Sequence, residues 1–376
     1  MSATVLEGIL AGRPLAGPAT VHIDITNSCN TNCITCWDHS PHLDTARSAE
    51  WKRQRVERST FEALLDDLTS LGGLRAIVLS GMGEPFTHPD VYDFIAAVKR
   101  RGLHLTIITN LVAADAERVI ELDVDQLLVG IHGATEASYL AFHPSFRRAE
   151  WERLLAMLEA FRVAGRRFKQ VQVVSAVNAD ELVEMVRFAA RTSAAQVNFK
   201  LASLRDGTEA TRVTDSQRRR LVKELVPGAR RVAEELCVTT NLDVFEGQLA
   251  AGGARTAAIA SVGCFMGFAY ARVLVDGTVL YCCNTEVRVG SLTAGTRFSE
   301  LWGGDAWQAL RERFRRGDYL ASCGQCGKLN QNVKLAERFE RRYGRAKLCE
   351  VTGRLEDGGA LRPPPLRLPL FDGGEP

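Results

Sequence analysis

Three cysteines, Cys29, Cys33 and Cys36, stand in one short run, Cys29-Asn30-Thr31-Asn32-Cys33-Ile34-Thr35-Cys36. Their thiolates are close enough along the chain to converge on a single metal centre. The preceding residues, Val21-His22-Ile23-Asp24-Ile25, alternate apolar and polar and predict a strand, so the cysteines occupy the loop at its carboxyl end. Barrel and open-sheet enzymes keep their chemistry in loops at that end. Structural zinc and the common iron-sulfur clusters each take four protein ligands, so a triplet leaves one corner open. Three readings follow: an iron-sulfur cluster with an open iron, a zinc site completed by His39 or His42, or three unrelated cysteines.

The spacing Cys-x3-Cys-x2-Cys in a loop after the first strand resembles the signature of the radical S-adenosylmethionine (radical SAM) enzymes. The resemblance implies a [4Fe-4S] cluster on Cys29, Cys33 and Cys36, whose open iron chelates SAM. It also implies homolytic SAM cleavage to a 5'-deoxyadenosyl radical that takes hydrogen from substrate, with reducing electrons from a donor such as flavodoxin or ferredoxin. The family often has an aromatic residue just before the third cysteine, packed near the adenine. Here Thr35 stands there and Trp37 follows, so Trp37 is the residue expected to take over that packing.

The elements that would position this loop alternate along the chain. Phe61, Leu64, Leu65, Leu68 and Leu71 recur at helical spacing after a Ser59/Glu62 capping box. Next comes a strand-length run, Leu74 to Ser80, ending in Gly81-Met82-Gly83-Glu84-Pro85. Such a turn is weak by itself, but one strand after the triplet it resembles the family's glycine-rich SAM-binding motif, making Gly81, Gly83 and Glu84 expected cofactor contacts. Four more strands follow, near residues 103–109, 124–131, 171–177 and 197–201, with helices between most of them. Sequential right-handed crossovers make the six strands parallel, and the resemblance implies an α/β partial (β/α)6 TIM-type barrel. At the strand ends Asn110 and Asn178 are candidate SAM contacts, and His132 and Lys200 are candidate catalytic residues. The bland alternatives are turn residues for the asparagines and a cap of a buried turn for the histidine.

A second set of cysteines lies further on. Asp276-Gly277 sits between two β-rich runs and predicts a hairpin that brings Cys282 within reach of Cys264. Cys323-Gly324-Gln325-Cys326 then supplies two more thiolates, enough to close a four-ligand site for zinc or for iron-sulfur. The pattern resembles the SPASM extension, or its shorter twitch relative, in a small α+β domain with an auxiliary [4Fe-4S] cluster on Cys264, Cys282, Cys323 and Cys326. Cys283 is an alternative to Cys282. The full SPASM pattern continues with two more close cysteines that Gly327 to Lys347 lacks, so one fully ligated auxiliary cluster is expected.

These readings divide the chain into a lead-in (1–18), a barrel (19–205), a helical linker or cap (206–260), an auxiliary-cluster domain (261–349) and a Pro/Gly-rich tail (350–376). A net charge of +2, with basic and acidic residues interleaved, argues against a nucleic-acid binder. No apolar run reaches the roughly twenty residues that span a bilayer, and no signal peptide is visible, so a reducing cytoplasm is the expected compartment for ten cysteines. The arrangement looks closest to radical SAM dehydrogenases of aminocyclitol pathways, which implies oxidation of an alcohol carbon of a polar sugar or cyclitol. A peptide maturase, a redox-neutral epimerase or decarboxylase, and a zinc-binding module without catalysis are the competing readings.

Overall fold

The computed structural model describes residues 3–253, 258–292 and 295–353. Nine strands form one sheet: β1 (Thr20–Asp24), β2 (Ala76–Ser80), β3 (His104–Thr109), β4 (Gln126–Gly130), β5 (Lys169–Val174), β6 (Gln196–Leu201), β7 (Tyr270–Val273), β8 (Thr278–Leu280) and β9 (Arg288–Ser291). The sheet order is β6-β5-β4-β3-β2-β1-β7-β8-β9. Strands β1 to β6 pair in parallel with sequential neighbours, as right-handed crossovers require. The Asp276-Gly277 hairpin forms between β7 and β8, and β7 lies parallel to β1, so the carboxyl-terminal strands continue the barrel sheet.

Register assigns the two faces. Gln170 on β5 donates to the Met185 carbonyl of the helix Leu182–Arg191, which marks the helix-covered face. In line with Gln170 are Val129, Ile107, Leu79 and Ile23, all essentially inaccessible. The alternate residues point to the opposite face: His22, Asp24, Val78, Ser80, Thr106, Ile108, Val173, Lys200, Tyr270 and Arg272. Parallel strands buried on both faces read as continuous apolar runs. These alternate because the inner face lines an open lumen, where even Ile108 keeps 40% of its surface.

Several local expectations are corrected. The Ser59/Glu62 capping box does not form, because the helix Arg58–Ser70 starts two residues earlier, with Glu57 at its N-cap. Within the segment read as a helical linker or cap the chain stays helical through Pro227-Gly228. A π-turn, Leu221–Leu225, precedes the helix Val226–Glu235, and Pro227 sits in that helix's first turn, where its missing N–H costs little. Within the lead-in, Ala3–Ala11 is a helix with Ile9 fully buried. The last helix runs Arg345–Thr352, and the tail beyond Gly353 lies outside the described residues. Among the described residues no helix is long and apolar enough to cross a membrane.

Candidate functional site

The cysteine loop is held from below by the loop that leaves β2. Gly83 N–H donates to the Thr26 carbonyl at 3.2 Å and Glu84 N–H to the Ser28 carbonyl at 2.8 Å, while the Thr87 hydroxyl donates to the same Ser28 carbonyl at 3.1 Å. A Cβ added to Gly83 would stand 1.9 Å from the Ser28 carbonyl oxygen, and one on Gly81 2.2 Å from that of Thr26. The glycines therefore admit the backbone of the cysteine loop itself, a closer neighbour than the ligand expected from the motif.

Glu84 is buried and caps the turn Pro85–Thr87. Its carboxylate accepts from the Thr109 hydroxyl at 2.5 Å, from Asn110 N–H at 2.7 Å and from Phe86 N–H at 3.2 Å. Burial nevertheless raises its pKa to about 7 against these three donors. Asn110 extends the link, its amide donating to Asn30 Oδ1 at 2.7 Å inside the cysteine run. The ends of β2 and β3 thus converge on the residues between the first two cysteines.

The three thiols sit in a desolvated pocket within range of one another's charge. Burial pushes Cys29 up to about 12, Cys33 well above the usual thiol value, and Cys36 up as well. Unmetallated, they are protonated. A metal centre would supply the positive charge that holds all three as thiolates, which is the chemistry an iron-sulfur cluster asks of them. Among the described residues no three His, Cys, Asp or Glu side chains converge to single-ion spacing. A [4Fe-4S] cube places its thiolates on separate irons, so its ligands stand farther apart than those around one zinc.

His132 takes a left-handed backbone, φ 61°. Its Nδ1 accepts from Val173 N–H at 3.0 Å, which places the proton of the neutral ring on Nε2. Burial, with His143 and Lys200 nearby, holds its pKa well below the usual histidine value. Asn178 is 1% exposed, and its amide donates to the carbonyls of His132 at 2.8 Å and Val173 at 2.9 Å while Oδ1 accepts from Ser175 N–H. Its polar atoms are engaged by backbone, so Asn178 fixes the His132 turn. Lys200 opens to the lumen at the end of β6, opposite Val173 in register, and the surrounding protein lowers its pKa by desolvation. Trp37 is 40% exposed; its Nε1 donates to the Ser203 carbonyl at 2.7 Å and the Arg205 guanidinium lies 4.0 Å over its ring. It therefore joins the cysteine loop to the loop after β6.

Five thiols gather at the second set. Cys264 feels the charges of Cys326, Cys323 and Cys283, and Cys282 feels those of Cys283 and Cys264. Burial raises Cys264, Cys323 and Cys326, the last to about 11. Both adjacent cysteines reach the group, so the choice between Cys282 and Cys283 stays as the sequence leaves it. Cys349 is buried and Cys237 exposed, neither of them in this group.

One network was not anticipated. Arg272 donates to Asp24 at 2.7 and 3.0 Å, His22 Nδ1 meets the Tyr270 hydroxyl at 3.1 Å, and Ser80 links His22 to Asp24. Burial works to raise the Asp24 pKa, but Arg272 and His22 outweigh it and hold the carboxyl below its usual range. This joins β7 to the barrel at β1. The available signal was a histidine and an aspartate at alternate positions of an otherwise apolar strand.

Residues 23–189 match the Radical SAM superfamily, and residues 264–327 match the SPASM iron-sulfur cluster-binding domain. The chain is a radical SAM enzyme with a SPASM domain. It is 25% identical over 327 residues to the AdoMet-dependent heme synthase of Methanosarcina barkeri (strain Fusaro / DSM 804), covering 82% of this chain and 88% of that one. In fold it is similar to Streptococcus suis SuiB bound to S-adenosylmethionine (TM-score 0.58, 15% identity, 86% of this chain and 72% of that chain). It is likewise similar to anSMEcpe with bound AdoMet (TM-score 0.58, 14% identity, 89% and 95%). A radical SAM domain uses a [4Fe-4S] cluster and SAM, and a SPASM domain carries auxiliary iron-sulfur clusters.

Proposed function

We propose that this radical SAM enzyme oxidises an alcohol carbon of a polar small molecule, with Cys29, Cys33 and Cys36 holding the SAM-binding cluster. The SPASM cysteines, Cys264, Cys323 and Cys326 with Cys282 or Cys283, would hold one auxiliary cluster. When bound, the first cluster and SAM supply a 5'-deoxyadenosyl radical, and the auxiliary cluster supplies a site for the electron left after hydrogen removal. A small reductant of the flavodoxin or ferredoxin kind would feed the first.

The observation that carries this reading is that the second cysteine set borders the lumen. Lys328, two residues after Cys326, lies 4.0 Å over the ring of Tyr270 on the inner face of β7, so the thiol group adjoins the chamber of the strand-end residues. In that chamber His132 stays neutral and presents its Nε2–H, Lys200 presents an ammonium, and the helix-covered face of the sheet keeps water out from behind. A fully ligated electron acceptor beside such a polar chamber suits alcohol oxidation better than a redox-neutral reaction.

The test uses anaerobically reconstituted enzyme and candidate sugars or cyclitols deuterated at the oxidised carbon. Deuterium should appear in 5'-deoxyadenosine, with one SAM consumed per ketone formed. Product of unchanged oxidation state, with solvent hydrogen at that carbon, would reject oxidation in favour of epimerisation.

A further inference from the structure

We propose that Asn332 is a positioning residue for the auxiliary cluster, tying the Cys264 segment to the Cys326 turn and raising the cluster's reduction potential through an N–H donor to the Cys326 sulfur. This deepens the function proposed above, and it rests on that reading only in taking Cys264 and Cys326 as cluster ligands, whatever the substrate.

Asn332 lies in the first turn of the helix Leu329–Tyr343 and is fully buried. A carboxamide taken out of water must find partners for its oxygen and its nitrogen. Its Oδ1 accepts from the N–H of Phe265, the residue after Cys264, at 2.8 Å. Its Nδ2 donates to Cys326 Sγ at 3.9 Å, the one hydrogen bond that nitrogen makes among the described residues. A single side chain therefore joins two of the three cysteine segments. Leu335 and Phe339, buried farther along the same helix, fix its position. The other join is made by Asn284, whose amide donates to Ser322 Oγ at 2.8 Å, beside Cys323.

The two asparagines differ in what they do for sulfur. Cys282 Sγ accepts from the main-chain N–H of Asn284 at 3.4 Å, as Cys36 Sγ does from that of Asp38 at 3.5 Å. Those donors belong to the backbone. The donor to Cys326 belongs to a side chain, held in place by its own acceptor bond to Phe265. At 3.9 Å it is a long bond to a neutral thiol, but a thiolate is a charged acceptor, and such bonds are roughly twice as strong. Reduction adds negative charge to a cluster and its sulfurs, so an N–H aimed at one of them favours the reduced form. Acceptance of the electron left by hydrogen removal gains driving force in the same direction.

The test reads the cluster and needs no turnover. In anaerobically reconstituted holoenzyme the midpoint potential of the auxiliary cluster is measured by redox titration followed by EPR, with the SAM cluster as internal reference. Asn332→Leu, of similar volume, should lower the equilibrium constant for reducing the auxiliary cluster about tenfold, a fall of about 59 mV for one electron, and leave the SAM cluster unmoved. Asn284→Ala cuts the bond to Ser322 but keeps the main-chain donor to Cys282, so its potential should match the wild type. A second measurement needs no change at Asn332. Asparagine isotopically labelled at its side-chain nitrogen should give a nitrogen coupling in the pulsed EPR spectrum of the reduced auxiliary cluster, in wild type and in Asn284→Ala alike. Should Asn332→Leu lose the cluster, that coupling decides. An unchanged potential in Asn332→Leu, an equal fall in Asn284→Ala, or no coupling from the labelled amide would overturn the proposal. Wild type holding about four irons per chain would reject the ligand assignment and this proposal with it, whereas about eight irons without the coupling would reject the role of Asn332 alone.

Discussion

Cys29, Cys33 and Cys36 share one loop, and that loop is clamped by backbone hydrogen bonds from the glycine-containing turn after β2. Cys264, Cys282 or Cys283, and the pair Cys323 and Cys326 come instead from three separate segments: the turn before β7, the end of the β7–β8 hairpin and the 3-10 turn Ala321–Gln325. The first arrangement is a local device whose ligands are close before folding, and its barrel only needs to hold it still. The second exists only when distant segments pack, so its ligation and its folding are one equilibrium. The difference implies that damage to the first should stay chemical, whereas damage to the second should spread into stability.

The widest gap between them should appear on removing ligands. With Cys29, Cys33 and Cys36 all changed to Ala, SAM cleavage should fall to the background of buffer, and iron should drop from about eight to about four per chain, the auxiliary cluster remaining. Iron and sulfide analysis with 5'-deoxyadenosine quantification checks this. Survival of cleavage would remove the assignment of the SAM site. Changing Cys323 and Cys326 to Ala should do the reverse: SAM cleavage persists, product formation stops, and the melting temperature falls. A double variant that still forms ketone would show that the second set is not the electron acceptor.

The seam between the regions can be weakened without touching a cysteine. Asp24→Asn leaves the Arg272 cation buried without its partner, a change that costs about 3–5 kcal/mol where such pairs are enclosed. Chemical denaturation should register that loss. Because the folded Asp24 pKa lies below its unfolded value, its contribution is present above the unfolded pKa, about 4, and disappears as pH falls through the folded value. The wild type should therefore lose stability below about pH 4 more steeply than the variant.

Glu84, under the cysteine loop, carries the opposite sign. Its folded pKa is raised to about 7, so the carboxyl favours folding at low pH and that advantage disappears as pH rises from its unfolded value through about 7. The change amounts to about 3 kcal/mol at most. In Glu84→Gln this slope between pH 4.5 and 7 should flatten, and an unaltered slope in metal-free protein would locate the titration elsewhere. The smallest effect belongs to Trp37→Ala. An exposed side chain with one hydrogen bond to a loop should change stability by about 0.5 kcal/mol or less, so any larger loss in SAM affinity measured by equilibrium binding would assign the ring to the cofactor.

The glycine turn shows how one motif can have more than one physical reason. Gly81 and Gly83 stand out in the sequence as residues that let a backbone come close to something, but the nearest atoms are the carbonyls of Thr26 and Ser28, more than fifty residues earlier. Asn178 shows how one position admits two roles. Its position at a strand end allows a ligand contact or a turn role, and only the fold reveals that its amide is engaged by the His132 and Val173 carbonyls.

By itself the sequence determined what depends on short range: the triplet in its loop, the Asp276-Gly277 hairpin, the alternation of strands and helices, and the types of donor available for metal. Periodicity and spacing are properties of neighbouring residues and survive without a fold. Tertiary structure alone decided which edge received the hairpin, that β7 would lie beside β1, and that Arg272 would meet Asp24 across 248 residues. Those outcomes depend on sheet order and curl, which bring together side chains whose separation along the chain carries no information about their distance in space.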